Sequence, residues 1–366
     1  MNTERISKYF EKQGGKATLG IDGFVDEVWQ IIAVRKSETE YELHNSMKKF
    51  AKSIYDSGVG GYTSEIIRKR RRFGGFTANT GNAINHLGFD LTMVGAFGKD
   101  SIDPAFSSFQ QSNKLYSVRE PGICEIFEFS DGKLMLPYSG EVSSINWESV
   151  TKAVPFPALE KAYSEANIVG FGYWLLLRNF DELLTKLYEN FLKDGKCTRI
   201  FFDFADIRRD SKQRLFNTLN IIAELNKQLP ATLSLNEHEA MQLFSYMDKK
   251  FSLSDPQIAH ANIAHVREQV GLDELVVHTP HFASASSVSE GVATVLQRYC
   301  EKPVITSGAG DNFNGGYIAA SVRNGELTLK ERLAVGNAVA GFYVKNGYPP
   351  DRTGLLNELK GVLKNQ

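Results

Sequence analysis

Short apolar runs alternate with stretches of helical periodicity along most of the chain. Runs rich in apolar side chains, as is typical of strands buried on both faces, occur at Lys16–Ile21, Leu91–Ala96, Ile168–Gly172, Arg199–Phe204, Thr232–Leu235 and Leu275–His278. Helical periodicity occurs at Asn79–Leu87, Phe180–Leu192 and Asn312–Arg323. This alternation predicts an α/β fold with a mostly parallel central sheet and helices on both of its faces.

Two stretches depart from the alternation, at residues 24–73 and 117–142. The first contains a cluster of glycines at Gly58, Gly60 and Gly61, and the second contains an Asp131-Gly132 pair between two strand-like runs. An Asp-Gly pair in that setting is typical of a β-hairpin. Extra strands inserted into an α/β core often cover its site, so we predict two lid segments within a single domain that spans residues 1–366.

Composition and charge narrow the class of partner. The chain has 366 residues, is 42% hydrophobic and carries a formal net charge of -1, so it can bury a full core but offers no electrostatic footprint for nucleic acid. No apolar run reaches the roughly 18–20 residues that a membrane span needs. The polar N-terminus and three widely separated cysteines favour a reduced, cytoplasmic enzyme. The sequence therefore predicts a small molecule as the partner, with no nucleic acid and no membrane.

The segment with the sharpest chemistry is a loop of small residues, Thr306–Gly316, which follows a short extended run and opens an apolar helix. Free N–H groups and the helix dipole make such a loop suitable for phosphate, and glycines let the backbone approach closely. Asp311 would then accept a proton from an attacking hydroxyl. The alternative is a glycine-rich turn with Asp311 as a simple N-cap. The chain contains no P-loop, and it lacks the glycine fingerprint of a nicotinamide or flavin oxidoreductase.

Two motifs resemble the signatures of the PfkB/ribokinase family of carbohydrate kinases. Gly308–Gly316 is similar to the family's C-terminal signature, and Gly74–Gly88, continued by Val94–Asp100, is similar to the N-terminal one. The resemblance spans nearly the whole chain. It implies a ribokinase-like three-layer αβα core with a mostly parallel central sheet and a small β lid. It also implies an ATP-dependent phosphotransferase that acts on a hydroxyl of a small sugar or sugar derivative.

The resemblance assigns the catalytic groups to one loop. Asp311 would be the general base, and Gly308, Ala309 and Gly310 would present amides to the transferred phosphoryl group.

The resemblance places acceptor-binding residues at the other signature. Gly75 and Asn79 would contact the acceptor, as would an aspartate after the first strand, where Asp22 and Asp26 are both candidates. The alternatives are helix packing at Gly75, an N-terminal cap at Asn79 and turn aspartates at either acidic position.

On the nucleotide side, the resemblance assigns cofactor binding to Asn236, Glu239, Thr279 and Asn337. Asn236 and Glu239 match an Asn-x-x-Glu motif in which Glu239 would help hold Mg²⁺ through water, so the implied cofactors are ATP and Mg²⁺. The alternative for this pair is a capping pair at a helix start.

The chain also departs from the family pattern. Ile305 stands where many relatives carry an aspartate that helps bind a monovalent cation, which puts potassium dependence in doubt. Pro280 and Ala283 replace the usual glycines of a nucleotide-side turn. His278 and His281 form an HxxH pair in this turn, for which metal binding is the less favoured interpretation.

A basic run, Arg68–Arg72, comes directly before the glycine pair. A solvated charge run is the favoured interpretation; the other is that one arginine reaches the acceptor site and binds an anionic group of the substrate.

Asp203 and Arg208 resemble the ends of a family Asp-Pro-Asn-x-Arg loop whose centre is changed here.

Two other functions remain as alternatives: a nucleoside kinase of the same fold, or a weakly catalytic regulator that binds sugar or nucleotide. Exposed strand edges of the lid could also pair two copies into a homodimer.

Overall fold

The computed structural model describes residues 3–12, 14–110 and 114–363. Its strands are β1 (Lys16–Gly20), β2 (Phe24–Arg35), β3 (Tyr41–Leu43), β4 (Ile66–Gly74), β5 (Asp90–Gly95), β6 (Lys114–Ser117), β7 (Gly122–Phe129), β8 (Gly132–Tyr138), β9 (Ile168–Phe171), β10 (Arg199–Asp203), β11 (Ala231–Asn236), β12 (Glu274–His278), β13 (Phe282–Ser287) and β14 (Gly291–Leu296).

The helices are α1 (Thr3–Glu11), α2 (Met47–Ser57), α3 (Gly75–His86), α4 (Ser107–Gln110), α5 (Trp147–Ala153), α6 (Phe156–Ser164), α7 (Phe180–Leu187), α8 (Lys212–Asn226), α9 (Glu237–Tyr246), α10 (Pro256–Val270), α11 (Ala309–Ser321), α12 (Leu329–Asn346) and α13 (Arg352–Leu363). A π-helical turn at Tyr188–Leu192 continues α7.

The central sheet has nine strands in the order β14-β13-β12-β11-β10-β9-β1-β5-β6. The seven strands from β12 to β6 run parallel, and β13 and β14 continue the sheet as an antiparallel edge. The carboxyl ends of the parallel strands therefore lie along one edge of the sheet, where open α/β folds bind their ligands.

Neighbouring side chains along one strand serve two separate cores. On β10, Ile200 and Phe202 belong to a cluster with residues of α7 and α8, whereas Phe201 packs into a second cluster with α3, α11 and α12. Successive side chains of a strand point to opposite faces, so helices cover both faces of this sheet. The predicted α/β architecture with helices on both faces is confirmed.

A second sheet of five strands is built around β2. β2 pairs parallel with β7 and antiparallel with β3 and β4, and β7 pairs with β8 in a hairpin that turns at Ser130-Asp131. These strands come from the two stretches that depart from the αβ alternation. The single domain predicted over residues 1–366 stays a prediction; residues 1–2, 13, 111–113 and 364–366 of it lie outside the described residues.

The six strands expected from apolar runs are all present within one or two residues, as β1, β5, β9, β10, β11 and β12. Two helices begin earlier than expected. α3 begins at Gly75 rather than Asn79, so Asn79 lies in the second turn and is not an N-terminal cap. α11 begins at Ala309 rather than Asn312, which places Asp311 inside the first helical turn. In the part of the chain that the structure describes, no helix has the length and apolarity of a membrane span; cytoplasmic location stays a prediction.

Candidate active site

The loop before α11 ends at Gly308, the N-cap of that helix. Gly308 has φ +81°, a left-handed backbone conformation that favours glycine. A Cβ on Gly310 would lie 2.9 Å from Cε1 of the His278 ring, so only glycine fits there without a shift. Gly308, Ala309, Gly310 and Asp311 all line one large cavity. The first N–H groups of a helix have no partner within it, so this helix start can bind an anion from the cavity. One of the three predicted donors, the Ala309 amide, is engaged here, because it donates to the main-chain oxygen of Thr306 at 3.2 Å.

Asp311 is the third residue of α11, and two residues of α3 hydrogen-bond to it. Asn79 Nδ2 donates to Asp311 Oδ2 at 3.0 Å, and Thr80 Oγ1 donates to the main-chain oxygen of Asp311 at 3.1 Å. Burial, followed by the charges of Asp203 and Asp22, raises the pKa of Asp311 well above its ordinary value, and the Asn79 bond only partly offsets this. The carboxylate is therefore a stronger base than an exposed aspartate.

Asp22 follows β1 and faces the diglycine at the start of α3. Its Oδ1 accepts from the Thr77 amide at 3.0 Å, whereas Oδ2 is buried and has no partner among the described residues. Gly75 has φ +84°, and a Cβ there would lie 2.1 Å from Asp22 Oδ2. Burial raises the pKa of Asp22 to about 6. Gly75 thus has a structural reason to be glycine, because it leaves room for this carboxylate.

Asp26 lies on β2 opposite Arg72 of β4, and Arg72 Nη2 is 3.8 Å from Asp26 Oδ2. A Cβ on Gly74 would come within 2.2 Å of Asp26 Oδ1. Burial raises the pKa of Asp26 to about 6, although the charges of Arg72 and Lys133 oppose this effect. Each glycine of the pair therefore makes room for one of the two candidate aspartates.

The predicted acceptor residues cluster beside Asp311, but they do not line the large cavity. Asp22 is fully buried, and Asn79 and Asp26 are 6% and 7% exposed. The cavity wall on this side is formed by other residues, among them Phe24, Lys133 and Met135.

The basic run before the diglycine divides into outward and inward side chains. Arg68 lies 3.6 Å from Glu27 and Arg70 2.9 Å from Glu128, both as ion pairs on the second sheet, and Arg71 lies 2.7 Å from Asp103 in the loop after β5. Arg72 instead turns toward the core, where Nη1 donates to the Tyr343 hydroxyl at 3.1 Å. The favoured interpretation, a solvated run, therefore fits Arg68, Arg70 and Arg71, and Arg72 departs from it.

Asn236 and Glu239, which are predicted to bind the nucleotide, form a capping box at the start of α9. Asn236 Oδ1 accepts from the amides of His238 and Glu239, and Glu239 Oε2 accepts from the Asn236 amide at 2.9 Å. The capping alternative is thus present. It uses only half of the carboxylate, because Oε1 of Glu239 is buried and lacks a partner in the described residues. Burial, together with the nearby charge of Asp203, raises the pKa of Glu239 well above its ordinary value. Such an unpaired oxygen fits a cation.

Thr279 and Asn337 line the cavity with side chains that are already engaged. The Thr279 hydroxyl accepts from the Phe282 amide at 3.0 Å and closes the turn between β12 and β13. Asn337 Nδ2 donates to the main-chain oxygen of Val295 at 3.2 Å. Both residues thus shape the wall, and neither offers a wholly free side chain to a ligand.

The two histidines of the HxxH pair have different surroundings. His278 is half-buried and stacks on Phe313, with ring centroids 4.8 Å apart, and desolvation lowers its pKa to about 4. His281 stacks on Tyr299 at 4.9 Å. Among residues 3–12, 14–110 and 114–363, no group of three or more His, Cys, Asp or Glu side chains has the arrangement of a metal site.

The cavity joins the two sides of the site. Its volume is about 810 Å³, and it extends from Lys133 and Met135 of β8, past Asp311, to Asn236, Thr279 and Asn337. Lys133, which the sequence analysis did not single out, donates from Nζ to Ser307 Oγ at 2.8 Å. Its position just after the Asp131-Gly132 pair gave no signal, because contact with Ser307 depends on how the second sheet packs. The arrangement can place a phosphate at the α11 N-terminus between the half-buried Asp311 carboxylate and a nucleotide-sized space.

Comparisons with known proteins agree on one family. A family model described as prokaryotic ketohexokinase matches residues 4–362 of this chain. The ketohexokinase of Haloferax volcanii is 28% identical over 343 residues, which cover 92% of this chain and 88% of that protein.

Solved structures with a similar fold are more distant in sequence. Phosphofructokinase-2 from Escherichia coli, in complex with substrates and products, has a TM-score of 0.64 at 15% identity and covers 96% of this chain and 100% of its own. The nucleoside kinase of Methanocaldococcus jannaschii has a TM-score of 0.59 at 15% identity, covering 95% and 99%.

Proposed function

The chain belongs to the prokaryotic ketohexokinase family of carbohydrate kinases, and on that basis we propose that it transfers the γ-phosphoryl group of ATP to a hydroxyl of a ketohexose, with Asp311 as general base. The family membership confirms the resemblance to PfkB/ribokinase kinases, and the structural neighbours confirm the ribokinase-like fold. The observation that carries the proposal is the position of Asp311: it is a half-buried carboxylate with a raised pKa, in the first turn of a helix that opens on a nucleotide-sized cavity.

The proposed reaction is an in-line displacement. Asp311 takes the proton of the acceptor hydroxyl as its oxygen bonds to the γ-phosphorus, and the bond from that phosphorus to the bridging oxygen breaks, so ADP leaves. The amides of Gly308 and Gly310 bind the negative charge on the equatorial oxygens, and the Ala309 amide can join them only by releasing the main-chain oxygen of Thr306. Asn79 keeps the Asp311 carboxylate oriented through its 3.0 Å bond. We place the acceptor beside Asp22, Asp26, Gly75 and Asn79, and the nucleotide beside Asn236, Thr279 and Asn337.

Magnesium fits the carboxylate that the capping box leaves half satisfied. Mg²⁺ commonly binds one or two carboxylates together with phosphates and several waters. Glu239, with its buried and unpartnered Oε1, would hold the ion through water. When bound, Mg²⁺ neutralises charge on the nucleotide phosphates.

The second sheet is proposed to act as the lid. Its strand β8 supplies Lys133 and Met135 to the cavity wall, so movement of this sheet would open or close the acceptor side. Closure would exclude water, which otherwise competes with the sugar as acceptor.

A second copy of the chain is the proposed partner at the lid. Strands β3 and β8 are the ends of the strand path in the second sheet, and Leu136 and Tyr138 of β8 are 51% and 71% exposed. Exposed apolar edge strands tend to pair. Light scattering should report a dimer that Leu136→Lys weakens; a monomeric mass at every concentration would contradict this.

The deciding experiment measures ADP release from Mg-ATP with ketohexoses, aldohexoses, phosphosugars, sugar acids and nucleosides. We expect a ketohexose to give the highest kcat/KM, and Asp311→Asn to lose at least about a hundredfold. If a nucleoside is the better acceptor, the substrate assignment is wrong although the kinase chemistry stands. If no acceptor is turned over, the kinase proposal itself is wrong.

A further inference from the structure

A chain of two hydrogen bonds links the second sheet to the loop that opens α11. Arg72 Nη1, on β4, donates to the Tyr343 hydroxyl of α12 at 3.1 Å. The same hydroxyl donates to the main-chain oxygen of Ser307 at 2.8 Å. One tyrosine oxygen thus joins a strand of the second sheet, a helix of the core and the residue before the N-cap of α11.

Arg72 differs from the other arginines of its strand in its surroundings. Its side chain is 21% exposed, against 43% for Arg70, which lies two residues away on the same face of β4. Arg70 pairs with Glu128 on the surface, whereas Arg72 approaches Asp26 at 3.8 Å and Tyr343. The orientation of Arg72 into the core is therefore a property of its position and not of the basic run.

Ser307 is where a small displacement would matter most. A peptide unit is planar, so the direction of the Ser307 oxygen sets the direction of the Gly308 N–H. Gly308 has φ +81° and begins α11, and a Cβ on it would lie 3.2 Å from the Tyr343 hydroxyl. Lys133 of β8 contacts the same residue through Ser307 Oγ at 2.8 Å. Two strands of the second sheet therefore reach Ser307, one directly and one through Tyr343.

We propose that Arg72 and Tyr343 are positioning residues that hold the Ser307–Gly308 peptide, so that the helix start takes its phosphate-binding orientation when the second sheet is seated on the core. This inference rests on the proposed phosphoryl transfer at that loop. The inference adds to the proposed function a physical link through which the second sheet acts on the phosphate site.

The first test is Tyr343→Phe, which removes the shared hydroxyl and keeps the ring. We expect kcat to fall about tenfold, the effect of losing a hydrogen bond of ordinary strength at a loop that must be ordered. KM for ATP should stay within about twofold, because the nucleotide wall is not altered. Tyr348→Phe, a change of the same atoms at a residue 56% exposed near the end of α12, is the matched control and should leave kcat unchanged.

A double-mutant cycle tests whether the two residues act through each other. Arg72→Gln should lower kcat, and the double variant with Tyr343→Phe should be no slower than the slower single variant. Arg70→Gln removes the same charge from the same face of β4 and is the control. Additive losses would overturn the link. It would also be overturned if Arg72→Gln alone raised KM for the sugar with kcat unchanged, which would mean direct contact between Arg72 and the acceptor.

Amide hydrogen exchange separates this inference from the proposed function, because it needs no substrate. We expect faster exchange in residues 306–310 in Tyr343→Phe and in Arg72→Gln, with strands β10 to β12 unchanged. If wild-type protein phosphorylates no ketohexose but the loop exchange rises, the proposed substrate is wrong and the link stands. If exchange in that segment is unchanged in both variants, the link is wrong even in a fully active kinase.

Discussion

The three neighbouring strands β10, β11 and β12 have acidic side chains at both ends, and the two ends differ in how those side chains are paired. At the amino ends, Glu274 accepts from Thr232 at 3.0 Å and from Tyr317 at 2.7 Å, and it pairs with Arg332 at 2.5 Å. Arg199 completes this cluster, 3.8 Å from Glu274. At the carboxyl ends lie Asp203, Glu239 and, on α11, Asp311, with no arginine or lysine in an ion pair with any of them among the described residues.

The difference shows in the acidity of the groups. Burial raises the pKa of Glu274, but the charges of Arg199 and Arg332 outweigh it and hold this pKa below its ordinary value. Burial and Asp203 instead hold the pKa of Asp311 well above its ordinary value. Removing one partner from a buried ion pair is destabilising, whereas a desolvated carboxylate without a cationic partner is itself a cost, which is typical of functional sites. Helix α11 serves both ends, with Tyr317 in the paired cluster and Asp311 in the unpaired one.

The largest expected effect comes from neutralising the unpaired end. Asp311→Asn removes the proposed base and should lower kcat by about 10²- to 10⁴-fold. Because a half-buried charge without a cationic partner disappears, the midpoint of thermal unfolding at pH 8 should be unchanged or higher. Steady-state kinetics and calorimetry of the same preparation measure both. If Asp311→Asn were inactive because it is less stable than the wild type, the distinction between the paired and the unpaired end would be contradicted.

The paired end should respond in the opposite sense. Glu274→Gln removes the carboxylate that Arg332 and Arg199 share, although Arg332 keeps Glu290 at 2.9 Å and Arg199 keeps Asp273 at 2.7 Å. The free energy of unfolding should therefore fall by about 1–3 kcal/mol. The fraction that remains folded should keep a near-normal kcat. Chemical denaturation monitored by circular dichroism gives the first quantity, and activity well below the unfolding midpoint gives the second.

The control for this change is Glu268→Gln. Glu268 pairs with Arg267 at 3.2 Å but is 65% exposed, and surface pairs of this kind contribute up to about 1 kcal/mol. If Glu274→Gln and Glu268→Gln lost the same free energy of unfolding, burial of the Glu274 cluster would not increase its contribution to stability.

A smaller effect is expected from pH. As the proposed base, Asp311 can act only when ionised, so kcat/KM should fall as the pH drops through its raised pKa, at a higher pH than for an ordinary aspartate. After burial, the charge of Asp203 is the largest cause of that rise, so Asp203→Asn should move the acid limb of the profile to lower pH. A limb that stays in place in Asp203→Asn would mean that another group controls it.

The sequence predicts the core better than the site, for a physical reason. Buried parallel strands appear as continuous apolar runs, so β1 and β9 to β12 could be located without tertiary information. The glycines at 75 and 308 could also be found, because positive φ and close approach restrict those positions to one residue type.

Contacts that depend on how the two sheets pack together could not be predicted from the sequence. Arg70 and Arg72 are the same residue type on the same face of β4, yet one lies on the surface and the other reaches Tyr343, because Arg72 is nearer the core. In the same way, the Asn236–Glu239 motif fits both a capping pair and a cation site, and the structure has the cap while leaving one oxygen of Glu239 unpaired.

The smallest expected effect is that of potassium. Ile305, close to the loop before α11, stands where the family resemblance predicts an aspartate. Ile305 is buried at 7% exposure and offers no side-chain oxygen, whereas hard cations are bound by oxygen ligands. Replacing sodium by potassium at constant ionic strength should therefore change kcat by less than about twofold. If potassium raised the rate strongly, main-chain oxygens near Ile305 would have to bind the ion. The unpaired end of the sheet would then contain a cation that no side chain there predicts.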